Sequence, residues 1–191
     1  YGSVVPGGYA NLASGTNSWA GGAFAAATNN GAFVWSDNSS ANVFGSTIDN
    51  QFNVRATGGA RFISNAAGTS GVSLSAGGGS WDMLSDRNAK ENFAEVDPEE
   101  VLGKVAGLPV TTWNYRSQDT VVRHMGPMAQ DFRAAFGLGN TDRRITTSDL
   151  HGVALAAIKG LNQKLEARDE RIRELEDRLA NIEALLPRQA D

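Results

Sequence analysis

Ala13-Ser14-Gly15-Thr16-Asn17-Ser18-Trp19-Ala20 is echoed 14 residues later by Ala27-Thr28-Asn29-Asn30-Gly31-Ala32-Phe33-Val34. Small residues recur at matching places, and the aromatics Trp19 and Phe33 fall in register. A short period of this kind predicts strands stacked coil on coil, each burying its face against the next. Downstream, Gln51-Phe52-Asn53-Val54-Arg55 and Ala60-Arg61-Phe62-Ile63-Ser64 alternate as strands do, with Gly58-Gly59 between them. A Gly-Ser linker has a similar composition, but the repeat and the alternation favour order. Few large side chains are available here, so one copy would bury little apolar surface. Association of several copies would supply the missing core. Residues 1–80 are therefore read as a piece of an oligomeric β-fibre, a β-roll or β-prism.

The whole chain has 191 residues, with Lys+Arg 17 against Asp+Glu 21, no Cys and two His. That length allows one or two small domains. Lack of Cys excludes a disulfide framework, a thiol nucleophile and a Cys-based zinc site. His124 and His151 leave little material for a metal centre, although carboxylates could still bind calcium; neither a metal nor a cofactor is expected. A net charge of −4 argues against a generic nucleic-acid binder. No apolar run approaches the ~20 residues that span a bilayer. The start, Tyr1-Gly2-Ser3-Val4, carries neither an initiator Met nor a signal peptide, which predicts a fragment of something longer.

The averages hide a change near residue 84. Residues 1–84 contain five charges, Asp37, Asp49, Arg55, Arg61 and Asp82, and the remaining 107 residues hold the other 33. Glycine runs the opposite way, 15 before residue 85 and 7 after. The predicted organisation is a β-rich segment over 1–80, a mixed α/β core over 81–149 and a C-terminal helix over 150–191, an α+β protein overall. Gly77-Gly78-Gly79 precedes Ser80-Trp81 without the Lys of a phosphate loop.

In the second half, Asp97-Pro98-Glu99-Glu100 has the marks of a helix start: Asp as N-cap, Pro at the first helical position, then acids in the first turn. That helix should carry Val101, Leu102 and Val105 inward and stop near Gly107. Pro109 to Tyr115 alternates like a strand, with Val121 to Met125 as its candidate partner. Residues 127–136 predict a short helix ending at Gly137, with Met128, Phe132 and Phe136 on one face. Asp142-Arg143-Arg144 reads as a solvated loop, and His151 as exposed.

After Ser148-Asp149 a helix can run to about Leu186, where Pro187 follows. Ile158, Leu161, Leu165, Ile172, Leu175, Leu179, Ile182 and Leu186 keep alternating three- and four-residue steps, the a/d seam of a coiled coil. Arg168 is a polar interruption at a d position. Arg171-Ile172-Arg173-Glu174-Leu175-Glu176 and Arg178-Leu179-Ala180-Asn181-Ile182-Glu183 share one pattern a heptad apart. Arg falls at g and Glu at e, where they can pair between neighbouring helices; pairing within one helix is the alternative. The pattern resembles the trimerisation motif of short parallel coiled coils, and a homotrimer is the expected assembly.

The charge boundary coincides with Leu84-Ser85-Asp86-Arg87-Asn88-Ala89-Lys90-Glu91-Asn92-Phe93. Serine followed five residues later by lysine is common, and Ser85 or Asp86 capping a short turn would explain the stretch equally well. Its context is more specific. Ser85-Asp86-x-x-x-Lys90-x-Asn92 is followed by Leu108-Pro109-Val110 leading to Trp113-Asn114-Tyr115. His124-Met125-Gly126-Pro127-Met128-Ala129-Gln130-Asp131 and a terminal coiled coil complete the series. Over residues 85–186 it resembles the C-terminal intramolecular chaperone domain of phage endosialidases, tailspikes and tail fibres, a domain also found in the membrane-bound myelin regulatory factor. Ala89 and Phe93 stand where larger aliphatics are usual, Pro127 replaces an apolar residue, and Ser148 sits where a Tyr often precedes the last helix. Further upstream, the Ala-x-Gly-x-x-Ser-x-Ala string from Ala13 to Ala20 and its copy from Ala27 resemble the heads of trimeric autotransporter adhesins and the shafts of phage tail fibres. The segment from Asn50 to Phe62 looks like one that precedes the C-terminal domain of such fibres.

The resemblance implies a domain that trimerises, helps three fibre chains fold together and then cuts itself off at the motif serine. Carried over, Ser85 is the nucleophile, Lys90 the base and Leu84–Ser85 the scissile bond, cut either by an N→O acyl shift within one chain or by attack on a neighbouring chain. A serine hydroxyl is a poor nucleophile until a base takes its proton, and a lysine does so only once desolvated from its ordinary pKa of ~10.4. Asp86 holds the loop, orients Lys90 or simply caps. His124 positions the junction, supports assembly or is a satisfied structural histidine; Asn92 and Gln130 belong to the same scaffold. The partners implied are two further copies and the upstream fibre as folding client. A glycan or receptor would be bound by regions not present. The location would be a virion tail fibre or spike, or a bacterial surface. The competing expectation is a permanent trimeric stalk or adhesin module with Ser85 and Lys90 inert. Binding of DNA is not expected, because residues 1–84 carry only two basic side chains.

Overall fold

The computed structural model describes residues 2–185, which divide into two compact units after Glu91. Leu186 and Pro187, the expected end of the last helix, lie outside the described residues.

The first unit opens with seven short strands: β1 (Gly8–Tyr9), β2 (Leu12–Ala13), β3 (Trp19–Ala23), β4 (Ala25–Ala27), β5 (Phe33–Ser36), β6 (Phe44–Gly45) and β7 (Phe52–Arg55). Odd strands form one parallel sheet in the order β1-β3-β5-β7, and even strands form a second, β2-β4-β6. The chain therefore alternates between two sheets as a parallel roll. Gly8 pairs with Gly22 and Trp19 with Phe33, so these coils advance by 14 residues, the period of the sequence repeat. The next coil advances by 19, pairing Phe33 with Phe52 and Ala25 with Phe44. Corners repeat with the coil: Ala10 and Phe24 have φ of 51° and 57°, and Asn17, Gly31 and Asn50 have 57°, 65° and 60°. Asn and Gly adopt this left-handed region at little cost.

Alternation along each strand decides what is buried. Ala20, Ala25, Ala27, Ala32 and Val34 form the core between the sheets, with Ser18 and Ser36 beside them. Trp19, Phe33 and Phe52 point the other way and stack as a ladder, with ring centroids 4.3 Å and then 4.8 Å apart and planes 7° and 16° from parallel. The Trp19 ring covers Gly21, where a Cβ would come within 2.4 Å of it. Polar side chains tie one coil to the next through the backbone. Asn11 accepts from Ala25 N at 2.9 Å and donates to Gly22 O at 2.8 Å, while Asn30 accepts from Thr16 N at 2.9 Å. The Asn and Ser content that also suits a linker is spent on these ladders.

The longer third coil is held by two of the few charges. Asp37 accepts from Ser39, and from Thr57 N and Oγ1 at 2.6 Å and 2.7 Å. Arg55 donates to Asn42 O and Ser40 O at 2.9 Å and 3.1 Å. Beyond β7 the architecture changes to an antiparallel meander of β8 (Ala60–Ile63), β9 (Gly71–Leu74) and β10 (Trp81–Met83), in the order β10-β9-β8. Residues 60–63 are thus a strand, as alternation predicts, but pair with later residues instead of stacking on the roll.

In the second unit, α1 (Pro98–Gly107) starts where expected, with the Asp97 carboxylate accepting from Glu99 N and Glu100 N at 2.9 Å and 3.3 Å. β11 (Thr111–Trp113) pairs antiparallel with β12 (His124–Gly126). α2 (Ala129–Phe136) ends at Gly137 in the left-handed region, φ 67°. α3 (Thr147–Leu185) has 39 residues, about 58 Å at 1.5 Å per residue. Val153, Ala157 and Gly160 are its buried residues, a face of small side chains against which α1 packs. At Gly160 a Cβ would stand 2.2 Å from the Pro98 carbonyl oxygen. The other apolar stripe is left open: Ile158, Leu165, Ile172 and Ile182 are 63%, 55%, 52% and 55% exposed. Within this helix Arg171 pairs with Glu174. Among the described residues no helix is long and apolar enough to cross a membrane.

Two outcomes follow from this packing. Gly160→Ala should destabilise the second unit by about 1–3 kcal/mol, because the methyl group meets backbone that cannot yield cheaply; thermal unfolding checks it. Hydrogen bonds from Ser39 first and then Thr57 hold the Asp37 carboxyl below its ordinary range. Its contribution to stability is therefore complete above pH ~4 and is lost as pH falls below that. Unfolding midpoints of wild type and Asp37→Asn should differ at pH 7 and converge as pH drops toward 2.

Candidate active site

Leu84 follows β10 directly, and from there to Pro98 a single 3-10 turn, Arg87–Ala89, is the only regular element. Asp86 starts that turn in the extended region and accepts from Asn88 N at 2.9 Å. Ala89 N then donates to Asp86 O, and Lys90 N to Arg87 O, both at 3.2 Å. Five residues of extended chain would put Ser85 and Lys90 about 17 Å apart. The turn folds that distance away, and Lys90 Nζ donates to Ser85 Oγ at 2.7 Å. Both side chains are exposed in the single chain.

Leu84 and Ser85 also line a groove of about 270 Å³ on the meander, together with Arg61, Ile63, Gly71, Val72 and Met83. β10 feeds the Leu84–Ser85 bond into this groove by pairing Met83 with Val72 and Asp82 with Ser73. The groove and Arg61 were not identifiable from local motifs, because they arise only when β8, β9 and β10 are paired.

Asn92 lies two residues beyond Lys90 with φ 56°, a conformation asparagine tolerates better than most residues. His124 and Gln130 belong to the second unit. His124 Nε2 lies 2.9 Å from Gln118 Oε1, and its ring packs 4.8 Å from Trp113 and 5.6 Å from Tyr115. Gln118, which also accepts from Tyr115 N at 3.3 Å, carried no motif that would have marked it. Gln130 is exposed on α2 and lines a cavity of about 690 Å³ with Trp113, Tyr115, Met128 and Arg144. The Trp113 indole nitrogen is buried without a hydrogen-bond partner among the described residues.

Residues 85–137 match the family model described as chaperone of endosialidase. The match covers 53 of the 191 residues and supports an intramolecular chaperone domain over this segment. The match begins at Ser85 and closes at Gly137, taking in the 3-10 turn, α1, both strands of the second unit and α2. The family is one of self-cleaving peptidases and is associated with trimeric phage fibre proteins, which gives the chaperone domain a tail-fibre or spike context. No curated protein matches the chain.

The cap at Asp86 generates a test. Asparagine caps a turn about as well as aspartate, whereas alanine does not. Asp86→Asn should keep Ser85 and Lys90 together, and Asp86→Ala should loosen them. On the processing reading proposed below, Asn is expected near the wild-type rate and Ala several-fold slower in an intact-mass time course. Equal slowing by both would assign the carboxylate charge, not the cap, to the site.

Proposed function

We propose that this protein is a fibre segment joined to a chaperone that drives homotrimerisation and then releases itself by cutting Leu84–Ser85. The contact between Lys90 Nζ and Ser85 Oγ at 2.7 Å carries the reading. Residues 1–80 are the folding client, 81–149 the chaperone core and 150–191 the coiled-coil clamp, in a virion tail fibre or spike or on a bacterial surface. The exposed stripe of α3, Ile158, Leu161, Leu165, Ile172, Leu175, Leu179 and Ile182, is the seam that three copies share.

The chemistry uses neighbouring atoms. Lys90 in its neutral form accepts the Ser85 hydroxyl proton, and Oγ adds to the Leu84 carbonyl carbon. The Leu84 C–Ser85 N bond breaks, the nitrogen takes up a proton from Lys90, and an ester remains. Water hydrolyses that ester, leaving a carboxylate on Leu84 and a free amine on Ser85. In the single chain Lys90 donates to Ser85, the polarity opposite to that of a base. Desolvation reverses it, so the reading makes assembly the step that dries the pair and licenses the cut. The exposure of both side chains is also what a permanent, uncut stalk would show.

Intact mass over time separates the two. Wild type should resolve into two fragments meeting at Leu84/Ser85, while Ser85→Ala and Lys90→Ala stay whole. Loss of either member of such a pair is expected to slow the reaction at least a thousandfold, roughly the scale for a nucleophile or its base. A wild-type trimer that remains uncut for days leaves the stalk.

A further inference from the structure

We propose that Arg61 is the anchor for the α-carboxylate that cleavage creates at Leu84. The inference rests on the processing reading above and adds a binding site on the client side of the cut. Arg61 lies on β8 opposite Ser73, and Ser73 lies opposite Asp82 on β10. Leu84 is two residues past Asp82, so in an extended strand it returns to the face that carries this row. Arg61, Leu84 and Ser85 accordingly line one small groove, with Gly71 contributing no side chain.

The charge inventory singles this residue out. Residues 1–84 contain only two cations, Arg55 and Arg61. Arg55 is occupied by Asn42 O, Ser40 O and, at 3.7 Å, Asp37. Among the described residues Arg61 has no hydrogen-bond or ion-pair partner. Asp82, across the same row, is held by Ser75 Oγ at 2.6 Å. Before the cut, the Leu84 end of the groove is a neutral amide. Hydrolysis adds water across the Leu84 C–Ser85 N bond, turning the carbonyl into a carboxylate and the nitrogen into an amine. A free guanidinium then faces a full negative charge, which its planar fork can bind through two parallel hydrogen bonds. The anchored carboxylate keeps the severed end of β10 on the sheet, where an untethered strand end would fray.

The test is a two-by-two comparison on the full chain. Processed wild type and processed Arg61→Gln are set against uncut Ser85→Ala and the uncut double variant, following thermal unfolding of the first unit. Arg61→Gln should lower the midpoint of the processed protein by about 2–5 °C, the scale of one exposed ion pair in a small domain. It should leave the uncut pair within about 1 °C of each other, and the difference in the processed pair should shrink in 1 M salt. Arg61→Lys, which keeps the charge without the fork, should retain part of the effect. Equal shifts in cut and uncut proteins, or none in either, overturn the anchor. So does a fully assembled Arg61→Gln that never cuts, because Arg61 would then act on the reacting carbonyl instead of the product. If wild type itself stays at its intact mass, the processing reading fails and takes the anchor with it; that mass tells the two failures apart.

Discussion

Between the two sheets of the roll nothing fully buried is larger than Val34, and this thin core governs the rest of the first unit. Alanine and serine let the sheets approach closely, but they remove little apolar area from water, at about 25 cal/mol per Å². Larger side chains are on the outside instead. Phe52 and Tyr9 are 67% and 69% exposed, and the stacked ladder of Trp19, Phe33 and Phe52 runs along the outer face. The second unit has the same imbalance. Its buried set is Phe132, Val153, Ala157 and Gly160, while the apolar stripe of α3 lies open over several turns. Exposed apolar surface on this scale marks an interaction site in a folded protein. It is the physical motive for the trimer proposed above.

Much of this architecture was legible because it is periodic or capped. The echo of Trp19 in Phe33 is the strand register itself, and Asp97-Pro98 and Gly137 mark helix ends through local backbone chemistry. The third coil was illegible because its extra residues break the period; only their hydrogen bonds to Asp37 and Arg55 show how the longer loop is kept. The meander was half legible. Alternation finds β8, but alternation cannot say which strand it pairs with, and the Gly58-Gly59 turn leads out of the roll rather than into another coil. At the candidate site, the order of separated motifs singles out Ser85 and Lys90, whose five-residue spacing alone is common. Gln118 beside His124 and Arg61 in the groove with Leu84 could not be picked out, since both placements arise across a loop or a sheet from residues without local signatures.

The Leu84–Ser85 bond sits where two kinds of order meet. On one side Met83 is fixed by the ladder to β9, so the carbonyl side of the bond is positioned only when the meander has formed. On the other side the Asp86 cap closes a turn within five residues and needs no distant contact. A hydroxyl and an amine brought together by a local turn thus lie next to a carbonyl whose strand is held by long-range pairing. Such pairing is slow to form, because loop closure must be paid for before non-local contacts reward it. A cleavage that depends on both would report on the later event, the folding of the client.

Charge gives the division of the chain a further purpose. Residues 85–191 hold 33 of the 38 charged residues, and residues 1–84 hold five. A segment with so few charges and so much exposed aromatic surface is prone to associate wrongly while it folds. Attached to a highly charged partner, it is kept dispersed during that interval. In the proposed trimer the copies cover one another's apolar faces, and the need for that protection ends. The proposed release would leave a segment whose solubility depends on hydrogen-bonding Asn, Ser and Thr side chains, and whose cut end would add one new charge to a surface that has almost none.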